Sequence, residues 1–347
     1  MNRLILPAGI LLWTLFIPSC FKEIDTESIP RTVDETFTVQ HSIKKIQSFH
    51  RFYENAVLEV DTAVGTDWDL AFESAGSGNR VLLGWASLST AVGTGVYDFS
   101  EINQDLLLDL IDNSEDWVFD DPSFVTIPDS LALTGHWEDG EIWLQNRGLE
   151  RDNYYVIQYV GSTDESYSFK YASAQSLDQV HETTVYRSTG FNYVYYSYAA
   201  QATVPVEPLR GVWDLLFTPY SGWWETSDSG VYVPYNLSGA LINNETGVRI
   251  AHVFDPEIAF EDIDLSYVDL YEFTDLKGAI GANWKILGAV GSPNLYTMDP
   301  DKKYLLKKYD QETSRTMYFK FQFVDYKLNG EDHYPTVEFK FLGSEPG

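Results

Sequence analysis

An all-β fold built from two similar halves is what this sequence predicts, and three observations carry the prediction. Aromatic residues make up 15% of the chain, with 23 Tyr and 10 Trp, and such side chains fit a pleated, half-buried surface better than a helix. Near the C-terminus, Phe319, Phe321 and Phe323 alternate with Lys320, Gln322 and Val324, and Val337, Phe339 and Phe341 alternate with Glu338 and Lys340. Period-two alternation is the mark of a strand with one buried face. The third observation is an internal repeat.

Trp68-Asp69-Leu70-Ala71-Phe72 returns as Trp213-Asp214-Leu215-Leu216-Phe217, 145 residues later. Tyr167–Tyr171 matches Met317–Phe321 at an offset of 150, and Tyr154 and Tyr304 keep that spacing. Trp137 and Trp284 lie between these blocks at 147, while Val96-Tyr97-Asp98 and Val253-Phe254-Asp255 correspond at 157. Matches in one order along the chain point to a tandem duplication. The second copy carries about ten extra residues, placed by these offsets around Tyr220–Tyr235. The polar stretch Ser176–Glu182 marks the seam, so the β units are read as residues 36–178 and 179–345.

Taken in order, strands dominate each unit. Thr184–Val206 is rich in Tyr, Val and Thr and reads as one or two long strands. Glu101–Asp112 and Phe260–Tyr271 are the two segments with helical character, one short insert per unit. The polar turn Gly76–Asn79 follows the first Trp-Asp-Leu strand, and Gly84-Trp85-Ala86 forms a second turn.

Ahead of these units, the N-terminus reads as a lipoprotein signal. Asn2 and Arg3 precede an apolar run, Leu4–Phe16, and Ile17-Pro18-Ser19-Cys20 has the order of a lipobox. The run suits a secretory h-region, being shorter than the roughly 20 residues of a membrane span. Cys20 is the single cysteine of 347 residues. Cleavage before it would remove residues 1–19, acylate Cys20 and leave residues 20–35 as a tether. Phe21-Lys22-Glu23-Ile24-Asp25 is similar to the signal that sends lipoproteins to the outer face of a Gram-negative outer membrane. An outer-membrane lipoprotein at the cell surface is therefore expected.

Composition excludes several classes. Without residues 1–19 the chain holds 52 acids against 22 Lys and Arg, a net charge of −30. So acidic a protein lacks the basic footprint of nucleic-acid binding, and a single cysteine excludes intrachain disulfides and multi-cysteine metal sites. There is no G-x-S-x-G elbow. In so acidic a chain, paired carboxylates nominate no glycosidase site. Asp69 and Asp214 read as partners of turns or backbone amides, and the protein is read as a non-enzyme.

The Trp-Asp-Leu strands at Trp68–Phe72 and Trp213–Phe217, the Gly-x-x-Trp-Lys segment Ile280–Lys285, and the Tyr-rich closing strands Lys303–Lys307 and Met317–Asp325 together resemble the HmuY-like lipoproteins. The likeness spans most of residues 40–345 as two copies. The first copy has His136-Trp137-Glu138 where the second has Asn283-Trp284-Lys285. The resemblance implies two tandem antiparallel β domains in a surface or secreted lipoprotein, and its best-known member captures haem between two histidines. Carried over, one ligand position falls on Ile142 and Ala289, and the other falls in stretches 103–133 and 257–280, which hold no histidine. The bis-histidine pattern is absent from both copies, which leaves haem open only as a ligand held in another way.

The six histidines, His41, His50, His136, His181, His252 and His333, lack metal-ligand spacing and read as surface residues. His136, beside Trp137, is the candidate for single-histidine contact with a porphyrin, and Met298 and Met317 read as packing residues. Adjacent Trp223 and Trp224, within Tyr220–Glu225, could stack on a planar ligand, a sugar ring or a partner. The alternative is a strand that turns them to opposite faces. Two functions are carried forward: capture of a planar or hydrophobic nutrient such as haem for an outer-membrane transporter, or adhesion to a protein or glycan partner.

Overall fold

The computed structural model describes residues 36–347 apart from 76–77, 125–130, 135–138, 149–152, 226–231, 288–295 and 330–331. Half of the chain is strand and a tenth helical, so the all-β expectation holds. Two four-stranded antiparallel sheets form the centre. In one, β4 (Leu70–Glu73) lies between β5 (Val81–Leu83) and β12 (Tyr193–Ser197), with β13 (Ala202–Val204) beyond. In the other, β14 (Leu215–Glu225) lies between β15 (Tyr232–Ile242) and β2 (Ile46–Tyr53), with β3 (Ala56–Val64) beyond.

Each central sheet faces a larger outer one. The first outer sheet runs β11 (His181–Tyr186), β10 (Ser166–Ser173), β9 (Tyr154–Ser162), β8 (Ile142–Asn146), β6 (Thr90–Gly93) and β7 (Val118–Phe119). The second runs β1 (Thr36–Thr38), β21 (Asp332–Pro346), β20 (Arg315–Asn329), β19 (Lys303–Asp310) and β16 (Arg249–Val253). A two-stranded ribbon, β17 (Lys285–Leu287) with β18 (Tyr296–Met298), completes the described strands.

Alternation along the Trp-Asp-Leu strands builds this layering. Leu70 and Phe72 pack with Tyr167, Phe169 and Tyr171 of the six-stranded sheet. Leu215 and Phe217 pack with Tyr304, Phe319 and Phe321 of the five-stranded sheet. Ala71 and Leu216 point the opposite way, into a core shared by both central sheets with Trp68, Trp213 and Phe49. A sheet covered on both faces needs a near-continuous apolar run, which is why these motifs have no polar alternation after the aspartate. Each fully buried large side chain contributes about 1.5–3 kcal/mol relative to exposure.

The chain ends close on each other. β1 pairs with β21, Thr36 opposite Glu338, and β2 pairs with β14, Leu215 opposite His50. By sheet membership the six-stranded sheet and its central partner draw on residues 70–204, and the other two on 36–64 and 215–346. The seam read between residues 178 and 179 lies in the turn from β10 to β11, and these strands pair across it from Tyr171↔His181 to Ser166↔Tyr186. The described residues form one compact unit.

Several local expectations are met or altered. The first helical insert is α1 (Gln104–Asn113), capped by the Asn103 side chain, which accepts the Leu106 N–H at 3.1 Å. Leu107 of α1 packs on the outer face of the six-stranded sheet with Ile142, Leu144 and Val156. The second insert is only a 3₁₀ turn, Leu265–Asp269. Asp264 binds the Ser266 N–H there, a local bond that competes with helix propagation. Thr184–Val206 divides among β11, β12 and β13. Lys320, read as lying on a polar strand face, is buried. The 260–263 segment covers it, and its ammonium donates to the carbonyls of Ile263 (2.8 Å), Glu261 (3.2 Å) and Phe260. Trp85 is buried against Trp68, ring centroids 5.4 Å apart.

Candidate functional site

The stretch around Tyr220–Tyr235 forms one long hairpin. β14 and β15 have 11 residues each, against 4 in β4 and 3 in β5. β14 pairs with β2 only through Phe217, and Pro219 has no N–H to extend that ladder. Beyond it the hairpin continues as a two-stranded arm, with Trp223 opposite Pro234 and Trp224 opposite Val233.

A second segment reaches the arm through two glycines. Ala240 exchanges backbone hydrogen bonds with Gly281 at 3.0 and 2.9 Å. A Cβ at Gly239 would stand 2.1 Å from the Gly281 carbonyl oxygen, and Gly281 itself has φ +55°. Only glycine permits that approach. The contact seats Trp284 fully in the core, stacked on Phe323 with centroids 4.0 Å apart and its Nε1 donating to the Gly281 carbonyl at 3.0 Å. The next residue, Lys285, is thereby turned toward the arm.

Between them lies a cleft of about 540 Å³. Trp223, Trp224 and Tyr235 from the arm, Tyr220 at its base and Tyr296 of β18 supply aromatic surface. Lys44, Lys285 and His333 supply cationic or titratable groups. Trp223 is 55% exposed and touches Phe119 edge-on at 4.8 Å, while Trp224 is half-buried with its ring 5.7 Å from Tyr235. The strand geometry expected as the alternative for this pair is therefore present, yet neither tryptophan is buried in a core and both line the cleft.

Lys285 is the chemical focus. Its Nζ donates to the Ser238 carbonyl at 2.6 Å and meets the Ser238 hydroxyl at 3.1 Å. The ring centroids of Trp284, Tyr296 and Tyr326 stand 5.2, 5.3 and 5.4 Å away. Burial, with the Lys44 charge added, lowers its pKa to about 7. His333 is buried with Nδ1 hydrogen-bonded to the Tyr326 hydroxyl, and burial lowers its pKa to about 4. Among the described residues that line the cleft there is no Asp or Glu, although the chain has 52. Asp121, close to Tyr220 and Gly222, is not a lining residue and accepts the Ser123 N–H at 2.8 Å.

Of the residues expected to matter, Cys20, His136 and Trp137 lie outside the described residues. So does Ala289, and Ile142 is buried in β8. The surface reading of the histidines needs correction at two positions. His50 is 2% exposed, its Nε2 2.8 Å from Ser48 Oγ, and His333 is 6% exposed. Both sit on strands at positions the packed layers cover. Met317 is a core residue. Lys285 carries no sequence signal as a site residue, although it closes the Gly-x-x-Trp-Lys segment. Tyr235, Tyr296 and His333 carry no local signal.

A second, more open cleft of about 610 Å³ lies beside β11, β12 and β13, lined by Tyr186, Tyr193, Tyr195 and Glu207 among others. Glu207 is buried there, which pushes its carboxyl up to about 7 while it accepts the Tyr193 N–H at 2.8 Å. No group of three His, Cys, Asp or Glu among the described residues could hold a metal ion. For haem iron the first cleft offers one described imidazole, His333, already engaged by Tyr326, so a bis-histidine clasp does not fit it. Among the described residues no helix is long and apolar enough to cross a membrane.

Fold and cleft together define a layered antiparallel β protein with an aromatic, cation-lined cleft. Comparison with protein-family models, curated proteins and solved structures finds no match to this chain.

Proposed function

We propose that this protein is a surface lipoprotein, acylated at Cys20, that captures a small planar ligand in the cleft beneath the β14–β15 arm. On this reading the chain is a doubled HmuY-like protein that passes its ligand to an outer-membrane transporter and performs no chemistry on it. The observation that carries the reading is the cleft itself. Its volume of about 540 Å³ falls within the roughly 300–1,000 Å³ of small-molecule sites, which pair aromatic walls with a few convergent polar groups. The paired Trp-Asp-Leu strands support the doubling. Haem remains one candidate, held by stacking on Trp223 and Trp224 rather than by two imidazoles.

Titration of the purified protein with haem and with metal-free protoporphyrin, followed by tryptophan fluorescence and the visible spectrum, tests this. Saturable quenching by both, weakened in Trp224→Ala, is expected. Absence of binding by either compound or by other planar ligands would defeat the reading. For the anchor, Cys20→Ser should abolish partition into the detergent phase.

The adhesive reading has one observation in its favour. Trp223 and Tyr235 on the arm are 55% and 48% exposed, and exposed aromatics also stack on sugars or partner proteins. Glycan binding lost in Trp223→Ala, without any small-molecule affinity, would favour it.

A further inference from the structure

We infer that the cleft is selective for an organic acid, a planar aromatic molecule whose carboxylate meets Lys285 while its ring lies against the aromatic wall of the β14–β15 arm. The inference rests on the reading of this cleft as a small-molecule site and names the class of molecule it takes.

Five other cations of the described residues are neutralised or enclosed, while Lys277 is buried against the rings of Tyr193 and Trp213. Lys308 donates to Asp214 at 2.7 Å and to the Phe52 carbonyl at 2.6 Å. Arg51 meets Asp310 and Glu312, each at 3.2 Å. Arg80 meets Glu73 at 2.8 Å and Glu245 at 3.0 Å, and Arg147 meets Asp69. Lys320 has no carboxylate but is closed off by three carbonyls. Lys285 follows neither pattern: its acceptors are both on Ser238. An ammonium has three protons to donate, so one remains for a group in the cleft.

The surroundings prescribe what that group is. Three aromatic rings around Lys285 offer their faces to a cation but cannot neutralise it. Lys44 and His333 add no negative charge, and the described lining holds no carboxylate. In a chain of net charge −29, a described lining with two lysines and no acid leaves a site complementary to an anion. Burial and Lys44 hold the Lys285 pKa near 7 in the free protein. A bound carboxylate opposes both effects and restores the ammonium. The ring preference comes from Trp224, Tyr235 and Tyr296, which offer flat apolar faces within the same cleft.

The test uses 2-naphthoate and its neutral counterpart 2-naphthamide, titrated calorimetrically into the purified full chain. A charge-assisted hydrogen bond in a half-buried site predicts that the acid binds about tenfold or more tightly than the amide. Lys285→Met should bring the two to within about twofold of each other, chiefly by weakening the acid. Trp224→Ala should weaken both ligands together. Equal affinity for acid and amide in the unaltered protein would overturn the inference and leave the small-molecule reading standing. Binding of neither would overturn the inference, and the porphyrin titration would then decide the small-molecule reading. Retention of the preference in Lys285→Met would also overturn the inference. If that variant fails to fold, the pair of ligands on the unaltered protein still decides.

Discussion

The two Trp-Asp-Leu strands are held alike, but the chain leaves them in different ways. The Asp69 N–H donates to the Tyr196 carbonyl and the Asp214 N–H to the His50 carbonyl, each at 2.8 Å. The Asp69 carboxyl accepts the Tyr198 N–H at 2.6 Å and is met by Arg147. The Asp214 carboxyl accepts the Phe52 N–H at 2.7 Å and is met by Lys308. After β4 the chain turns within a few residues, and Trp85 folds inward onto Trp68. After β14 it runs on as the arm, whose Ser221 hydroxyl caps the Trp85 carbonyl at 2.9 Å. One frame, lengthened at a single hairpin, acquires a cleft without disturbing the layers behind it. The shared clamp belongs to stability, and the arm belongs to the cleft.

That division can be broken most forcefully at the clamp. Lys308→Met leaves the Asp214 carboxylate buried without its cation, and should cost about 3–5 kcal/mol in denaturant unfolding. Asp214→Asn combined with it should recover part of the loss. A cost near zero would show that the clamp is not what holds the strand.

The next largest effect is pH-dependent and confined to one side. Register places His50 opposite Leu215 where Tyr196 stands opposite Leu70. Burial lowers the His50 pKa from 6.5 to about 3. Below pH 6.5 the unfolded chain therefore binds a proton that the folded chain refuses, so stability falls with falling pH. The loss attributable to His50 is up to about 3 kcal/mol at pH 4. Glu207 and Asp120, pushed up to about 7 by burial, work in the opposite direction. The informative quantity is therefore the difference between the unaltered protein and His50→Gln. That variant should lose less stability between pH 6.5 and 4, and parallel curves would refute the assignment.

A smaller contrast separates the tryptophans. Trp68 donates to Gln47 Oε1 at 2.9 Å, whereas Trp213 Nε1 has no partner among the described residues, with the Lys277 ammonium 5.8 Å from its ring. Trp68→Phe strands a buried amide oxygen and should cost about 1–3 kcal/mol more than Trp213→Phe, by chemical unfolding. Equal losses would make the two positions equivalent. The smallest expected effect is on the arm. Trp223→Ala should shift stability by about 1 kcal/mol or less while weakening planar ligands in the porphyrin titration.

Much of the frame was legible because its signals are local. Alternation at Phe319, Phe321 and Phe323 announced a strand with a buried face, and all three are buried. The stretch that the motif offsets single out, Tyr220–Tyr235, is the one that spans the arm. The expectation that Asp69 and Asp214 bind backbone amides is met in both cases. Lys320 was misread because period-two reasoning assigns a face, not what covers it, and the cover comes from residues 260–263, nearly sixty positions earlier. His50 and His333 were misread for the same reason.

The site divides along the same line. Trp223 and Trp224 could be nominated from sequence because adjacent tryptophans are conspicuous wherever they lie. Lys285 could not, since a lysine after a tryptophan has no meaning until Gly239 and Gly281 bring two backbones together.

By itself, the sequence determined the strand-rich class, the paired Trp-Asp-Leu motifs and the acidity of the whole, because each is written in neighbouring residues or in composition. Tertiary structure alone decided that the two central sheets share a core, that the N-terminal strands close the C-terminal sheets, and that a lysine with no carboxylate among the described residues faces an aromatic cleft. Those outcomes depend on which distant surfaces meet. Strand pairing and layer packing are selected by the summed burial of many side chains, and no short stretch of sequence contains that sum.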